Sequence, residues 1–144
     1  MSPVTALQRA LAAEHAALHV YGALGARTSA SATPTLFADL TAGYTLHRSR
    51  RDQLTALVRD EGADPAAAAA TYELPEPLDT PDQVTRAALA VEQSCTETYA
   101  WLVGQTSGAS RRWAIAALTN SAVRELTYRG SPEIFPGAGE FADR

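Results

Sequence analysis

The sequence predicts an all-α protein, a four-helix bundle with one long crossover between its second and third helices. Three observations carry this. Four stretches repeat apolar residues at spacings of three and four, the period of a half-buried helix. The first three open on a hydroxyl residue followed by proline, at Ser2-Pro3, Thr33-Pro34 and Thr80-Pro81, which is a cap with a residue suited to the first helical position. Residues 62–80 hold Pro65, Pro75 and Pro77 without sustained periodicity, a length of chain best explained by a connection that crosses the bundle end to end. Helices 2 and 3 should then run parallel. The competing reading of 62–80 is a linker between two domains, each of them small.

The first helix is expected over 3–26, with the stripe Val4, Leu7, Leu11, Glu14, Leu18, Tyr21. The second is expected over 34–61, with Phe37, Leu40, Tyr44, His47, Arg51, Leu54 and Val58 facing inward and Gly62 closing it. Thr80 and Gln83 form a capping box for a third helix over 81–104, whose stripe is Val84, Ala88, Glu92, Cys95, Tyr99, Leu102. The fourth is expected over 110–129, with Ile115, Leu118, Ala122, Glu125 and Tyr128 inward and Gly130 and Pro132 stopping it. The tail 131–144 should pack along the bundle through Ile134, Phe135 and Phe141.

Composition narrows the function classes. The 144 residues suit one domain, 1–144, and 46% hydrophobic content suits an ordinary core. The longest apolar run, Ala66 to Ala70, cannot span a bilayer, and no signal-like segment opens the chain, so no membrane role and a cytoplasmic location are expected. A net charge of −4, with basic residues scattered apart from Arg48, Arg50 and Arg51, disfavours nucleic acid. One cysteine, Cys95, excludes an internal disulfide and a cysteine-rich zinc centre; on the buried stripe it reads as a small core residue. No serine-histidine-acid order, phosphate loop or nucleotide fingerprint occurs, which weighs against an enzyme.

Each helix carries a polar residue inside its apolar stripe. Glu14 lies about twelve residues before the end of helix 1, and Tyr44 and His47 about ten and thirteen residues into the antiparallel helix 2, so they are level. Glu92 lies about fifteen residues before the turn at 107 and Glu125 about eighteen after it, which brings these two level within about a turn. Carboxylates, an imidazole and phenols should converge in mid-bundle. Taken out of water, each carboxylate needs a cation, a metal, a donor or a proton. His15 and His19 share a neighbouring face and suit a lateral role. Arg48 and Arg50 read as a solvated face.

The chain resembles the ferritin-like superfamily, whose di-metal sites use one Glu on each of two helices and a Glu-x-x-His pair on the other two. The lone glutamates correspond to Glu14 and Glu92, and the pairs to Tyr44-Thr45-Leu46-His47 and Glu125-Leu126-Thr127-Tyr128. The Ala-Ala-Glu-His-Ala-Ala opening, His-Arg-x-Arg-Arg at 47–51 and Tyr-Arg-Gly at 128–130 are similar to a DUF4439-like ferritin-like family of unknown function common in actinobacteria.

The resemblance implies Glu14, His47, Glu92 and Glu125 as metal ligands, with iron or manganese the metal of an oxidoreductase or storage protein. Tyrosines at the two remaining ligand positions leave two metals under-coordinated. The favoured reading is therefore a metal-free polar core without a cofactor, in which Arg51, Tyr44, Tyr99 and Tyr128 satisfy Glu14, His47, Glu92 and Glu125. The bundle would act as a structural or interaction module, a homodimer through its alanine-rich faces, or as a binder of a small molecule.

Overall fold

The computed structural model describes residues 2–138. Four helices occur in order: α1 (Pro3–Ala26), α2 (Pro34–Asp60), α3 (Pro81–Gln105) and α4 (Gly108–Arg129). The Ser2 side chain accepts the Thr5 amide at the start of α1, and Thr80 and Gln83 complete the capping box of α3. Thr33 departs from this pattern: its hydroxyl donates back to the Ser29 carbonyl and leaves the first turn of α2 without a side-chain cap. Helix α4 begins two residues earlier than its spacing suggests and ends on Gly130, whose φ of 81° is the left-handed conformation that closes a helix.

Contacts set the directions. Leu11 and Leu54 share a core cluster while Gly43 faces Tyr21, so α1 and α2 are antiparallel. Arg9 stacks over Trp101 while Tyr21 reaches Glu92, so α1 and α3 are antiparallel too. Helices α2 and α3 therefore run parallel, and residues 61–80 must travel the length of the bundle. This crossover is extended, with no helical turn in the alanine run. It is fastened to the outside of α1: Gln8 donates to the Asp64 carbonyl and accepts the Ala66 amide, His15 Nε2 lies 3.0 Å from the Ala66 carbonyl, and His19 packs on Tyr72. Leu78 then enters the core.

The apolar interior is divided. One cluster gathers Leu7, Leu11, Leu54, Val58, Tyr99 and Leu102; the other gathers Val20, Tyr21, Leu24, Leu40, Val84 and Tyr128. Each helix places at least one buried polar residue between the two: Glu14, His47, Glu92, then Ser121 and Glu125; Arg50 and Thr96 are buried polar residues as well. No helix of the described residues is long and apolar enough to cross a membrane. Ile134 and Phe135 are largely exposed, and Gly137 lies close against Thr96 and Ala100 of α3. Phe141 lies outside the described residues.

The inward stripe of α2 corrects the sequence reading. Its buried positions are Leu40, Gly43, His47, Arg50, Leu54 and Val58. Between anchors seven residues apart, a helix can turn inward the residue three or four positions on, about 100° different; α2 takes three. Tyr44, expected in the core, is 43% exposed. Arg51, expected as the buried cation, has a side chain 33% exposed and pairs with neighbouring Asp52, while Arg50, read as a surface residue, is 3% exposed. Arg50 donates to Ser121 Oγ, Asn120 Oδ1 and the Ala117 carbonyl and sits over the Tyr99 ring, joining α2 to α4. Arg51→Ala is accordingly expected to change stability by less than about 0.5 kcal/mol, and Arg50→Ala to cost at least about 2 kcal/mol because three acceptors lose a charged donor. Equal urea midpoints for the two variants would contradict this assignment.

Candidate functional site

Glu14 of α1, His47 of α2 and Glu92 of α3 meet at the level where the two apolar clusters are separated, and all three are fully buried. His47 Nδ1 lies 2.7 Å from Glu14 Oε2, and its Nε2 lies 3.2 Å from Glu92 Oε1. Glu92 Oε1 also accepts from the Tyr21 hydroxyl at 2.5 Å and from Arg124 Nε at 2.9 Å. Arg124 continues to the Asp39 carbonyl and to the Tyr128 hydroxyl, which lies 3.3 Å from that of Tyr21. With the imidazole protonated, Glu14, His47, Glu92 and Arg124 sum to zero charge.

The titration behaviour follows from these neighbours. Burial alone disfavours the charged imidazole, but the hydrogen bonds and charges of Glu14 and Glu92 outweigh it, and the His47 pKa is raised above 6.5. Burial likewise disfavours ionised Glu92; His47, Tyr21 and Arg124 reverse this and hold the carboxyl at about 2. Tyr21 is pushed up by burial and by the Glu92 charge, so it remains a neutral donor. Cys95 is raised by burial and then by Glu14 and Glu92, and its thiol stays protonated.

The structure thus brings together Glu14, His47, Glu92 and Tyr128 from the residues singled out in the sequence. It does not bring the other four. Tyr44 and Arg51 point outward for the reason given above. Tyr99 is a buried core ring stacked edge-on against Trp113, and its hydroxyl has no hydrogen-bond partner among the described residues. Glu125 is buried but engaged by Arg129 Nη2 at 2.8 Å, on the side of α4 toward Glu133 of the tail. The group on α4 that reaches Glu92 is its neighbour Arg124, about 100° around the helix.

Tyr21 and Arg124 were missed. Tyr21 stands seven residues after Glu14 on the same stripe, a spacing that could have marked it as a donor. Arg124 had no such signal, because it lies beside the expected stripe of α4 and not on it; Glu125 and Tyr128 are buried as expected, whereas in the first half of the helix Ala114 and Ala117 face inward where Ile115 and Leu118 were expected, and Ile115 is exposed.

These residues do not fit a two-metal centre. Such a site needs four carboxylates and two imidazoles with free lone pairs. Here the layer holds one imidazole, both of whose ring nitrogens face carboxylates, and three carboxylates. Each carboxylate has one oxygen engaged, Glu14 by His47, Glu92 by His47, Arg124 and Tyr21, and Glu125 by Arg129, and the other without a hydrogen-bond partner among the described residues.

Beside the layer, an apolar pocket of about 290 Å³ opens between α1 and α3. Ala13, Ala17 and Val20 form one wall, Ala87, Val91 and Cys95 the other, and Pro75 of the crossover borders it.

The family described as "Domain of unknown function (DUF4439)" matches residues 6–140. A crystal structure of a conserved hypothetical protein from Mycobacterium tuberculosis is similar with a TM-score of 0.81 and 29% sequence identity, covering 89% of this chain and 95% of that one. No curated protein matches the chain.

Proposed function

The chain belongs to the DUF4439 family of domains of unknown function, and from that premise we propose that it is a ferritin-like bundle whose ancestral metal position holds a self-neutralised network, serving as a structural or small-ligand-binding module without an iron or manganese cofactor. One observation carries the reading: His47 lies between two buried carboxylates, and the second of them is bound by Arg124. A buried carboxylate needs compensation, and these side chains supply it through one oxygen of each, Glu14 Oε2 and Glu92 Oε1. The network engages both ring nitrogens of His47 and one oxygen each of Glu14 and Glu92, atoms that a redox-active metal pair would use. The pocket between α1 and α3 supports the ligand-binding side of the proposal, since it is lined mainly by small apolar side chains and bordered by a crossover tied to α1.

Metal analysis after anaerobic loading with ferrous iron or manganese tests this. The expected result is less than stoichiometric retention of either metal, no shift in melting temperature and no turnover of oxygen or peroxide. Two equivalents of iron or manganese per chain, lost in Glu14→Ala and accompanied by oxygen consumption, would replace the proposal with an oxidoreductase or storage function.

A further inference from the structure

We propose that Glu14, His47 and Cys95 form a site for a single soft divalent cation, of which zinc is the physiological representative, reached from the pocket between α1 and α3. This goes beyond the network described above, because it adds a ligand of a different chemical class and a stoichiometry of one. The three residues come from three helices, all are buried, and one ligand atom from each lies within 4.8 Å of the others. Tetrahedral zinc takes thiolate sulfur at ~2.3 Å and imidazole nitrogen or carboxylate oxygen at ~2.0–2.2 Å, so side-chain adjustment alone closes the set.

Two independent observations point to a ligand there. Glu14 Oε1 is buried with no hydrogen-bond partner among the described residues, although Oε2 of the same carboxylate is bonded to His47. A buried carboxylate oxygen without a donor is costly, and a cation supplies what the surrounding side chains do not. The second is position: Cys95 also lines the pocket between α1 and α3, so the buried cluster adjoins an opening at the surface through one of its own ligands.

The surroundings suit such a site. With Nε2 of His47 directed to Glu92, Nδ1 is the nitrogen that faces Glu14, and a carboxylate on the far side of a ligating ring fixes its orientation and tautomer. Glu92 is itself held by Tyr21 and Arg124, which keeps it in this orienting role. On binding, the imidazolium and the thiol each release a proton to solvent. Two positive charges leave as protons and two enter with the ion, so the layer is electroneutral in both forms. The thiolate selects a soft ion over the oxygen-preferring ones, and three protein ligands leave the fourth position to water.

Titration of the chelator-stripped full chain with cobalt(II), followed by zinc, tests the site. One equivalent of cobalt should produce a near-ultraviolet thiolate-to-metal charge-transfer band, and zinc should remove it. Cys95→Ser should lose the band while keeping the wild-type circular dichroism, and Glu92→Gln should keep the band with affinity about 10–100-fold weaker. No charge-transfer band in the wild type, or cobalt binding unchanged in Cys95→Ser, overturns the proposal and leaves the metal-free network intact. Binding of two equivalents of iron or manganese that survives Cys95→Ser overturns the network reading instead.

Discussion

Replacing His47 with alanine is expected to lower the unfolding free energy by about 3–5 kcal/mol, the cost of leaving buried charge without its partner. The ring is the shared neighbour of Glu14 and Glu92, and all three are inaccessible to water. Without it, Glu14 keeps no cationic partner among the described residues, and Glu92 retains only Arg124 and the Tyr21 hydroxyl. The dependence on pH carries the sign of the linkage. His47 is raised above its ordinary 6.5, so its stabilisation is fully present below 6.5 and is lost as pH rises through the elevated value. Glu92 is lowered from 4.5 to about 2, so its contribution is fully present above 4.5 and is lost as pH falls toward 2. The difference between wild type and His47→Ala should therefore be largest between these two ordinary values, around pH 5–6, and shrink on either side. Urea unfolding with unchanged m-values, measured across that range, provides the check. A difference below about 1 kcal/mol at its maximum would mean that the ring is neutral in the folded protein.

Gly43→Ala should destabilise the protein by about 1–2 kcal/mol, although helix propensity by itself favours alanine over glycine by roughly 1 kcal/mol in a helix interior. Gly43 is the position on α2 where the backbone passes over the Tyr21 ring. A Cβ there would overlap that ring and lie 2.7 Å from Arg124 Nη2. Neither neighbour is free to withdraw, since Tyr21 is bonded to Glu92 and packed on His47, and Arg124 is bonded to Glu92 and to the Asp39 carbonyl. The strain should reach the charged layer as well as the packing. Gly22→Ala supplies the contrast, because a Cβ at that position meets only Tyr44 at the ordinary distance of 3.8 Å. It should be neutral or stabilising by up to about 1 kcal/mol. If Gly43→Ala proves as stable as Gly22→Ala, the close approach of α2 to Tyr21 is not required.

Much of the architecture was legible because it rests on local signals. Proline after a capping residue, the capping box of Thr80 and Gln83, and the apolar periods of α1 and α3 located those helices to within a residue. The length of 62–80 implied that α2 and α3 run parallel, since a chain that must span the bundle cannot be a short turn. Glu14 and Glu92 stood out as carboxylates on otherwise apolar stripes, and His47 sat at an anchor position that both readings of α2 share.

On α2 and α4 the periodic signal was ambiguous. Arg50 and Arg51 are adjacent and chemically identical, so composition could not choose between them, and a long side chain can be buried or solvated according to the partners it meets. The position facing α4 decided for Arg50, because Ser121, Asn120 and the Ala117 carbonyl are there to receive it. On α4 the larger apolar residues suggested one stripe, yet the small residues Ala114, Ala117 and Ser121 face inward. Farther along α4, Glu125 and Tyr128 are buried as the spacing suggests, yet Arg124, beside that stripe, is the residue that reaches Glu92, and Glu125 pairs with Arg129.

The sequence by itself determined the helices, the crossover and the presence of a buried polar layer, because each follows from periodicity, capping and chain length along one segment. Only the tertiary structure decided which cations compensate the carboxylates and that Cys95 stands beside Glu14 and His47. Those outcomes depend on rotations of about 100° between adjacent residues, and a rotation is fixed only when a second helix presents the atoms that receive the side chain.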